Sequence, residues 1–218
     1  MKIITPFASI GLAVLSLSSV SHAAITVINS DFSAQSLGDN SWAATTVDTI
    51  DGWTFTGSTS GSVNILADGE PAVTSNSGKA AGDQYVVFNE GGSATGGTLY
   101  QTITGLTIGQ QYEVSFEVIE MFNGNNNVAR INGDFNSLGS SIGSGVGTDL
   151  TIGDGGTIST FTFTATDAEG VLTFTDASDG TSGIDTGLDN ISITAVPEPG
   201  SAALLGLGGL ALLLRRRK

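Results

Sequence analysis

The side chains that carry out most enzymatic chemistry are scarce in this sequence. It contains one histidine, His22, and no cysteine. His22 lies at the end of an apolar N-terminal segment that we expect to be removed, which would leave no imidazole. Without imidazole or thiolate, a chain can build neither a Ser-His-Asp nor a Cys-His catalytic centre, nor the usual zinc site. The remaining chemistry is that of carboxylates, amides and hydroxyls.

Acidic residues are abundant, but their surroundings do not indicate catalysis. Glycoside hydrolysis uses a pair of carboxyl groups, one of which needs a pKa raised by burial. Most Asp residues here stand in Gly-rich turns. Lys79 could pair with Ser77 in "NSGKAAGD", although we interpret it as a lone surface lysine. We therefore predict that the protein is not an enzyme, and a glycoside hydrolase is the weakest of the alternatives.

Aromatic side chains flanked by polar groups are the candidates for binding a sugar. The aromatic candidates are Trp42, Trp53, Tyr85, Tyr100 and Phe122. We interpret Trp53, in "DGWTF", as a core residue. Trp42 lies in a polar stretch and is the preferred platform among them.

The segment "MFNGNNNVAR", residues 121–130, is a second binding candidate. Phe122, Asn123, Asn125 and Arg130 combine a ring for stacking with amide and guanidinium groups for hydrogen bonds. The same composition is typical of a turn, because Asn and Gly tolerate a positive φ. The residues alone leave both interpretations open.

Charge separates the middle of the chain from its ends. Residues 24–196 hold 20 of the 21 acidic residues and two of the seven Lys and Arg residues, a net charge near −18. Such a surface repels nucleic acid and anionic lipid, because a protein needs cations to neutralise their phosphates. It suits calcium or a neutral polysaccharide, although acidity for solubility alone gives the same composition.

The N-terminal residues 1–23 are typical of a secretory signal peptide. Lys2 supplies the positive start, an apolar run follows, and Ser21 and Ala23 are the small residues of a cleavage site. We expect signal peptidase to cut after Ala23 and the chain to be exported. A buried N-terminal helix is the alternative.

Residues 196–218 combine a proline motif, an apolar run and a basic end. Gly200 to Leu214 are fifteen residues without a charge, which as a helix would reach about 22 Å, short of the ~30 Å of a bilayer core. The cluster Arg215, Arg216, Arg217 and Lys218 favours a cytoplasmic end and can lengthen the span by snorkelling. These features predict a short transmembrane helix with a cytoplasmic anchor.

The order Pro197, Glu198, Pro199, apolar run and Arg cluster resembles the PEP-CTERM sorting tail of Gram-negative bacteria. The resemblance implies recognition by an exosortase, a membrane enzyme that cuts near the motif, and transient association with the inner membrane. It also implies release to the cell surface or the medium, close to exopolysaccharide production. An ordinary single-span anchor is the alternative.

Strand-like alternation dominates residues 24–195. "QYEVSFEVI" places Tyr112, Val114, Phe116 and Val118 on one face, and "STFTFTA" and "DNISITA" alternate in the same way. We expect nine or ten short strands separated by polar turns, which predicts an all-β fold, a single β-sandwich or jelly roll. The Gly- and Ser-rich stretch 132–156 is expected to be a disordered loop.

Four motifs in this region resemble galactose-binding-like jelly rolls, a fold that includes many carbohydrate-binding modules. They are "ITVINSDF", "DGWTF", "YQTITGLTIGQQYEVSFEV" and "GLDNISI". The resemblance implies a structural calcium ion where the first and last strands meet. The matching residues are Asp31 and Asp189, and Ser33 replaces an acidic residue that is common in the family.

These observations together predict an exported, exosortase-processed, non-catalytic carbohydrate-binding module that acts in an exopolysaccharide or biofilm matrix. The alternative from a different class is a calcium-crosslinked structural or adhesion protein of the matrix without a discrete sugar site.

Overall fold

A computed structural model gives the fold of the chain. It describes residues 25–34, 42–45, 50–56, 62–67, 78–80, 83–89, 97–123, 129–150, 153, 155–178, 184–197, 206 and 209, with backbone only at 42–45, 62–67, 89, 121–123 and 184–185. The predicted signal peptide, residues 1–23, and the predicted cytoplasmic anchor, Arg215 to Lys218, lie outside the described residues.

The described residues form eleven strands in two antiparallel sheets. In chain order they are β1 (Trp42–Thr45), β2 (Thr54–Thr56), β3 (Ser62–Ala67), β4 (Gln84–Asn89), β5 (Thr98–Thr104), β6 (Gln111–Asn123), β7 (Ala129–Ser137), β8 (Ser140–Asp149), β9 (Thr157–Thr164), β10 (Glu169–Asp176) and β11 (Ile184–Ala195). The six-stranded sheet has the order β1-β3-β4-β11-β6-β9, and the five-stranded sheet has the order β2-β5-β10-β7-β8. The predicted all-β sandwich is confirmed.

The core lies between the two sheets and follows the alternation read from the sequence. In β6, Tyr112, Val114, Phe116 and Val118 are all buried in the main apolar cluster. The ring of Phe116 lies 5.1 Å from that of Phe174 in β10, which joins the two sheets directly. Burial of this apolar surface is the main stabilising contribution to a fold of this kind.

Trp53 is a core residue, as predicted. It is 3% exposed, and its ring lies 5.8 Å from that of Phe32 and 6.1 Å from that of Phe174. Its indole N–H donates to the carbonyl oxygen of Asn29 at 3.2 Å, so the one polar atom of the ring is satisfied.

The prediction of a disordered loop over 132–156 is wrong for most of that range. β7 and β8 occupy residues 129–149 and pair with each other along their whole length. A two-residue turn joins them, at Leu138 (φ 50°) and Gly139 (φ 79°). Two consecutive positive φ angles match the twist that a tight hairpin requires.

Glycine explains why the hydrophobic pattern did not indicate β8. The inward-facing positions 143, 145 and 147 of this strand are all glycine. A Cβ atom at these positions would lie 2.6 Å from atoms of Phe163, Phe161 and Phe116, respectively. The backbone and Cβ atoms of β9 and the ring of Phe116 in β6 therefore fill the space that inward-facing side chains of β8 would occupy.

Candidate functional site

The outer face of the five-stranded sheet is rich in hydroxyl groups. In β5 the side chains of Leu99, Gln101 and Ile103 point into the core and are buried, whereas Thr98 and Tyr100 alternate with them and are half-buried. The same alternation places polar side chains of all five strands on this surface, which we call the Tyr100 face. Its members are Thr54, Thr56, Thr98, Tyr100, Thr102, Asn132, Asp134, Asn136, Ser144, Thr173 and Thr175.

The strand register aligns five of these residues in one row across the sheet. Tyr100 is the partner of Thr54 on one side and of Thr173 on the other. Thr173 pairs in turn with Asp134, and Asp134 with Ser144. With neighbouring strands about 4.8 Å apart, the row is about 19 Å long. It therefore offers one phenol ring flanked by hydroxyls and a carboxylate on an open surface.

Hydrogen bonds within the Tyr100 face hold several of its polar groups in place. Asn136 donates to one carboxylate oxygen of Asp134 at 2.6 Å, and the hydroxyl of Ser141 donates to the other. The hydroxyls of Thr98 and Thr175 lie 3.2 Å apart on neighbouring strands. Groups that are already ordered lose less conformational entropy when a ligand binds.

The binding residues predicted from the sequence are divided between the two sheets. Trp42 begins β1, at the edge of the six-stranded sheet, and Phe122 and Asn123 end β6, with three strands between β1 and β6. Asn125 lies outside the described residues, and the side chains of the other three are not described. Arg130 is in the five-stranded sheet, half-buried, and its guanidinium donates to the carbonyl of Ala177 at 3.5 Å. Their role in binding stays a prediction.

The side chain of Lys79 is buried and bonded to two carboxylates, which corrects its interpretation as a surface residue. Its Nζ atom lies 2.7 Å from Glu117 Oε2 and 2.8 Å from Asp189 Oδ2. Asn190 donates to the same Glu117 oxygen at 2.7 Å. Glu117 and Asp189 are register partners on β6 and β11, so the sheet itself brings the two carboxylates together. We call these residues the Lys79 cluster: Lys79, Glu117, Asp189 and Asn190.

Burial and the contacts between the charged groups shift the pKa values of this cluster in opposite directions. It raises the pKa of Asp189 to about 6, although the hydrogen bond and charge of Lys79 act in the opposite direction. Burial lowers the pKa of Lys79, but its hydrogen bonds and charge interactions with Asp189 and Glu117 together raise that pKa by more, so the net direction is upward. Lys79 therefore rests as an ammonium bonded to Glu117, whereas Asp189 is neutralised more easily than an exposed carboxylate.

The predicted calcium ligands are engaged with other groups. Asp189 holds the Lys79 ammonium, which would repel a divalent cation on the same carboxylate. Asp31 is exposed and accepts a hydrogen bond from the Ser33 hydroxyl at 2.8 Å, which lowers its pKa. The described part of the chain contains no group of three or more His, Cys, Asp or Glu residues arranged to hold a metal ion. These residues do not fit a calcium ion as they stand, and calcium binding stays a prediction.

The folded domain continues to the residue before the proline motif. The backbone N–H of Val196 donates to the carbonyl of Gln111 at 2.9 Å, and the side chain of Gln110 donates to the carbonyl of Val196 at 2.7 Å. Pro197 follows at once and is exposed, whereas Glu198 and Pro199 lie outside the described residues. Val196 is thus the single residue between the end of β11 and the start of the motif.

A groove of about 540 Å³ lies beside this junction, away from the Tyr100 face. Ile25, Val27, Ile191 and Ile193 contribute to its apolar lining. The hydroxyl of Tyr112, which also lines it, already accepts a hydrogen bond from the backbone N–H of Thr107 at 2.9 Å. The hydroxyl-bearing residues Thr26, Ser30, Ser192 and Thr194 also line the groove.

Residues 195–218 match the family of the PEP-CTERM protein-sorting motif, which confirms the predicted sorting segment. The motif identifies the chain as an exported protein that is anchored in the membrane before an exosortase processes it. No helix within the described ranges is long and apolar enough to cross a membrane.

Solved structures with a similar fold include cyclases. A Stig cyclase, FisC from Fischerella sp. TAU in complex with (3Z)-3-(1-methyl-2-pyrrolidinylidene)-3H-indole, matches with a TM-score of 0.60 and 16% identity over 81% of this chain and 99% of the cyclase. A cyclase structure from Fischerella sp. TAU matches with a TM-score of 0.59 and 16% identity over 80% of this chain and 98% of the cyclase. TmCBM61 in complex with β-1,4-galactotriose matches with a TM-score of 0.45 and 17% identity over 67% of this chain and 90% of TmCBM61.

A comparison with curated proteins found no match to the sequence. At 16% identity the cyclases share the fold of this chain and nothing more specific. This fold therefore accommodates enzymes.

Proposed function

We propose that this exported protein binds a polysaccharide chain on the Tyr100 face without transforming it, and that it acts in the exopolysaccharide layer after exosortase processing. The observation that carries the proposal is the row formed by Thr54, Tyr100, Thr173, Asp134 and Ser144. Sugar rings stack on aromatic side chains and hydrogen-bond to the groups around them, and this row supplies both.

The shape of the surface indicates which part of a polysaccharide it would hold. The row is about 19 Å long and lies on the open outer surface of the sheet, so it suits an extended run of sugar units rather than a single terminal sugar. The charge near −18 of residues 24–196 disfavours an anionic polymer. We therefore expect a neutral polysaccharide to be the preferred ligand.

The non-catalytic part of the proposal rests on the carboxylates. A glycosidase needs two carboxyl groups about 5 to 10 Å apart on either side of the bond that it cuts. Within the described residues of the row, Asp134 is the one carboxylate, and Asn136 and Ser141 already hold both of its oxygens. The row is arranged for hydrogen bonding rather than for proton transfer.

Tyr100→Ala is expected to weaken binding to the preferred polysaccharide about tenfold or more, the loss of about 1.4 kcal/mol or more that removal of a central aromatic contact produces. The measurement is isothermal titration of residues 24–196 with a panel of neutral and acidic polysaccharides, in calcium and in chelator. Tyr100→Phe is the matched control, because it keeps the ring and should bind within a few-fold of the original protein.

Other outcomes would point elsewhere. Loss of binding on Trp42→Ala or Phe122→Ala, with Tyr100→Ala unaffected, would place the site at the residues predicted from sequence. Calcium-dependent self-association without polysaccharide binding would favour the structural matrix protein. Release of reducing ends from any polymer would contradict the non-catalytic proposal.

A further inference from the structure

The Lys79 cluster brings an amine and two carboxylates into contact inside the protein. Lys79 Nζ is 2.8 Å from Asp189 Oδ2 and 2.7 Å from Glu117 Oε2. The side chains of Lys79, Glu117 and Asp189 are 7%, 9% and 4% exposed, respectively. Three charged groups are thus held together almost completely out of water, which is costly for the charged forms.

The surroundings of the cluster keep water away from these groups. The outer face of the six-stranded sheet also carries a small apolar cluster of Tyr85, Val87 and Ile119, all buried. Gly156 closes over Glu117, because a Cβ atom there would lie 2.8 Å from Glu117 Cγ. The second oxygen of Asp189, Oδ1, is buried and has no hydrogen-bond partner among the described residues. One carboxylate oxygen is thus paired with the amine, and the backbone N–H of Asn190 also stabilises the ionised form of Asp189.

We propose that Lys79 and Asp189 condense to form an intramolecular amide, with Glu117 as the catalytic proton carrier. Nζ gives a proton to Glu117 and attacks Cγ of Asp189, so that an Nζ–Cγ bond forms and one Cγ–O bond breaks. The departing oxygen leaves as water, with the proton carried by Glu117 and a second proton from Nζ. The ammonium and the carboxylate become one neutral amide, and Glu117 returns to its starting state.

Position and burial both favour this condensation over the separated ions. An amine held against a carboxyl group has a very high effective concentration, which replaces the unfavourable encounter of the two groups in solution. Conversion of Lys79 and Asp189 into a neutral amide removes the cost of keeping these two ions out of water. Asn190 donates to Glu117 Oε2, the oxygen that also contacts Nζ, and so fixes the proton carrier at the reacting nitrogen.

The bond would supply a covalent link to an exported domain that has no cysteine. It would join the segment before β4 to the last strand, β11, and enclose most of the sandwich between its two ends. Like a disulfide, such a link restricts the unfolded chain, but it cannot be reduced.

The intact mass of the full chain, purified after export and denatured, tests the proposal. We expect the mass to fall below the value calculated from the sequence by one water molecule, beyond any cleavage of the ends. Lys79→Arg keeps the positive charge but lacks the amine, and Glu117→Gln keeps the shape but cannot carry the proton. Both should show the full mass, and near-native circular dichroism would show that they still fold.

Trypsin locates the link, because Lys79 and Arg130 are the two trypsin sites within residues 24–196. With the amide, trypsin cannot cut after Lys79, and the fragment that ends at Arg130 stays joined to the fragment that contains Asp189. An imide at an Asp-Gly step would also lose water but would leave Lys79 cleavable. The full mass together with complete cleavage after Lys79 in the original protein would overturn the proposal.

Discussion

Gly143→Ala is expected to lower the free energy of unfolding by about 2 to 3 kcal/mol, the upper range for forcing an extra carbon into a packed core. The new Cβ atom would lie 2.6 Å from Phe163 Cβ and closer still to the carbonyl oxygen of Thr162. Because these atoms are backbone or next to it, they cannot move without separating the two sheets. The loss of backbone freedom in the unfolded chain would return only about 0.4 to 1 kcal/mol.

Thermal and urea unfolding of residues 24–196 measure this effect. For a domain of this size, 2 to 3 kcal/mol corresponds to a melting temperature about 4 to 12 °C lower. Ser144→Ala is the matched control, because Ser144 is the next residue of β8 and points outward, exposed to solvent. It should stay within about 0.5 kcal/mol of the original protein. If Gly143→Ala were equally harmless, the close approach of β8 and β9 would be incorrect.

Deletion of Pro197, Glu198 and Pro199 is expected to keep the protein in the membrane fraction and to abolish its release. The apolar run and the basic end that follow would still hold the chain in the membrane, while the motif that the exosortase recognises would be missing. Quantitative immunoblots of membranes and culture medium measure the change. Release at the original level would contradict the role of the motif.

A spacer variant separates loss of the motif from damage to the domain. Insertion of Gly-Ser-Gly between Val196 and Pro197 keeps the motif and leaves the hydrogen bonds of Val196 in place. It should therefore be released at least as well as the original protein. Equal loss of release in both variants would mean that the junction, rather than the motif, limits processing.

Alternation of apolar and polar residues was enough to predict the sandwich and several of its strands. β6 and β9 carry side chains with a strong period of two, and the structure places the apolar set of each in the core. β8 was missed because its inward positions are glycine, which has no side chain to reveal burial. A signal for β8 lies in the opposite sheet. The phenylalanines of β9 and β6 leave no room for inward-facing side chains on the strand that packs against them.

The candidate sites depend on contacts between distant parts of the chain, so the sequence indicated them poorly. Tyr100 was one of five aromatic candidates, and only the register with Thr173 and Asp134 distinguishes it. Lys79 was read as a surface residue because nothing nearby in the sequence indicates its partners. Glu117 and Asp189 become neighbours only when β6 and β11 pair, and Lys79 must then fold over that pair.

The position of the proline motif, one residue after the end of β11, has a mechanical consequence. While the tail still holds the chain in the membrane, any pull on the domain enters at Val196 and reaches β11 first. This strand is hydrogen-bonded to β6 along most of its length and also to β4 over residues 185–188. Shear along a strand with such a long pairing loads many hydrogen bonds together, whereas a strand pulled sideways can be peeled off one bond at a time. Fluid drag on the tethered domain would therefore act on a strand that is well placed to resist it.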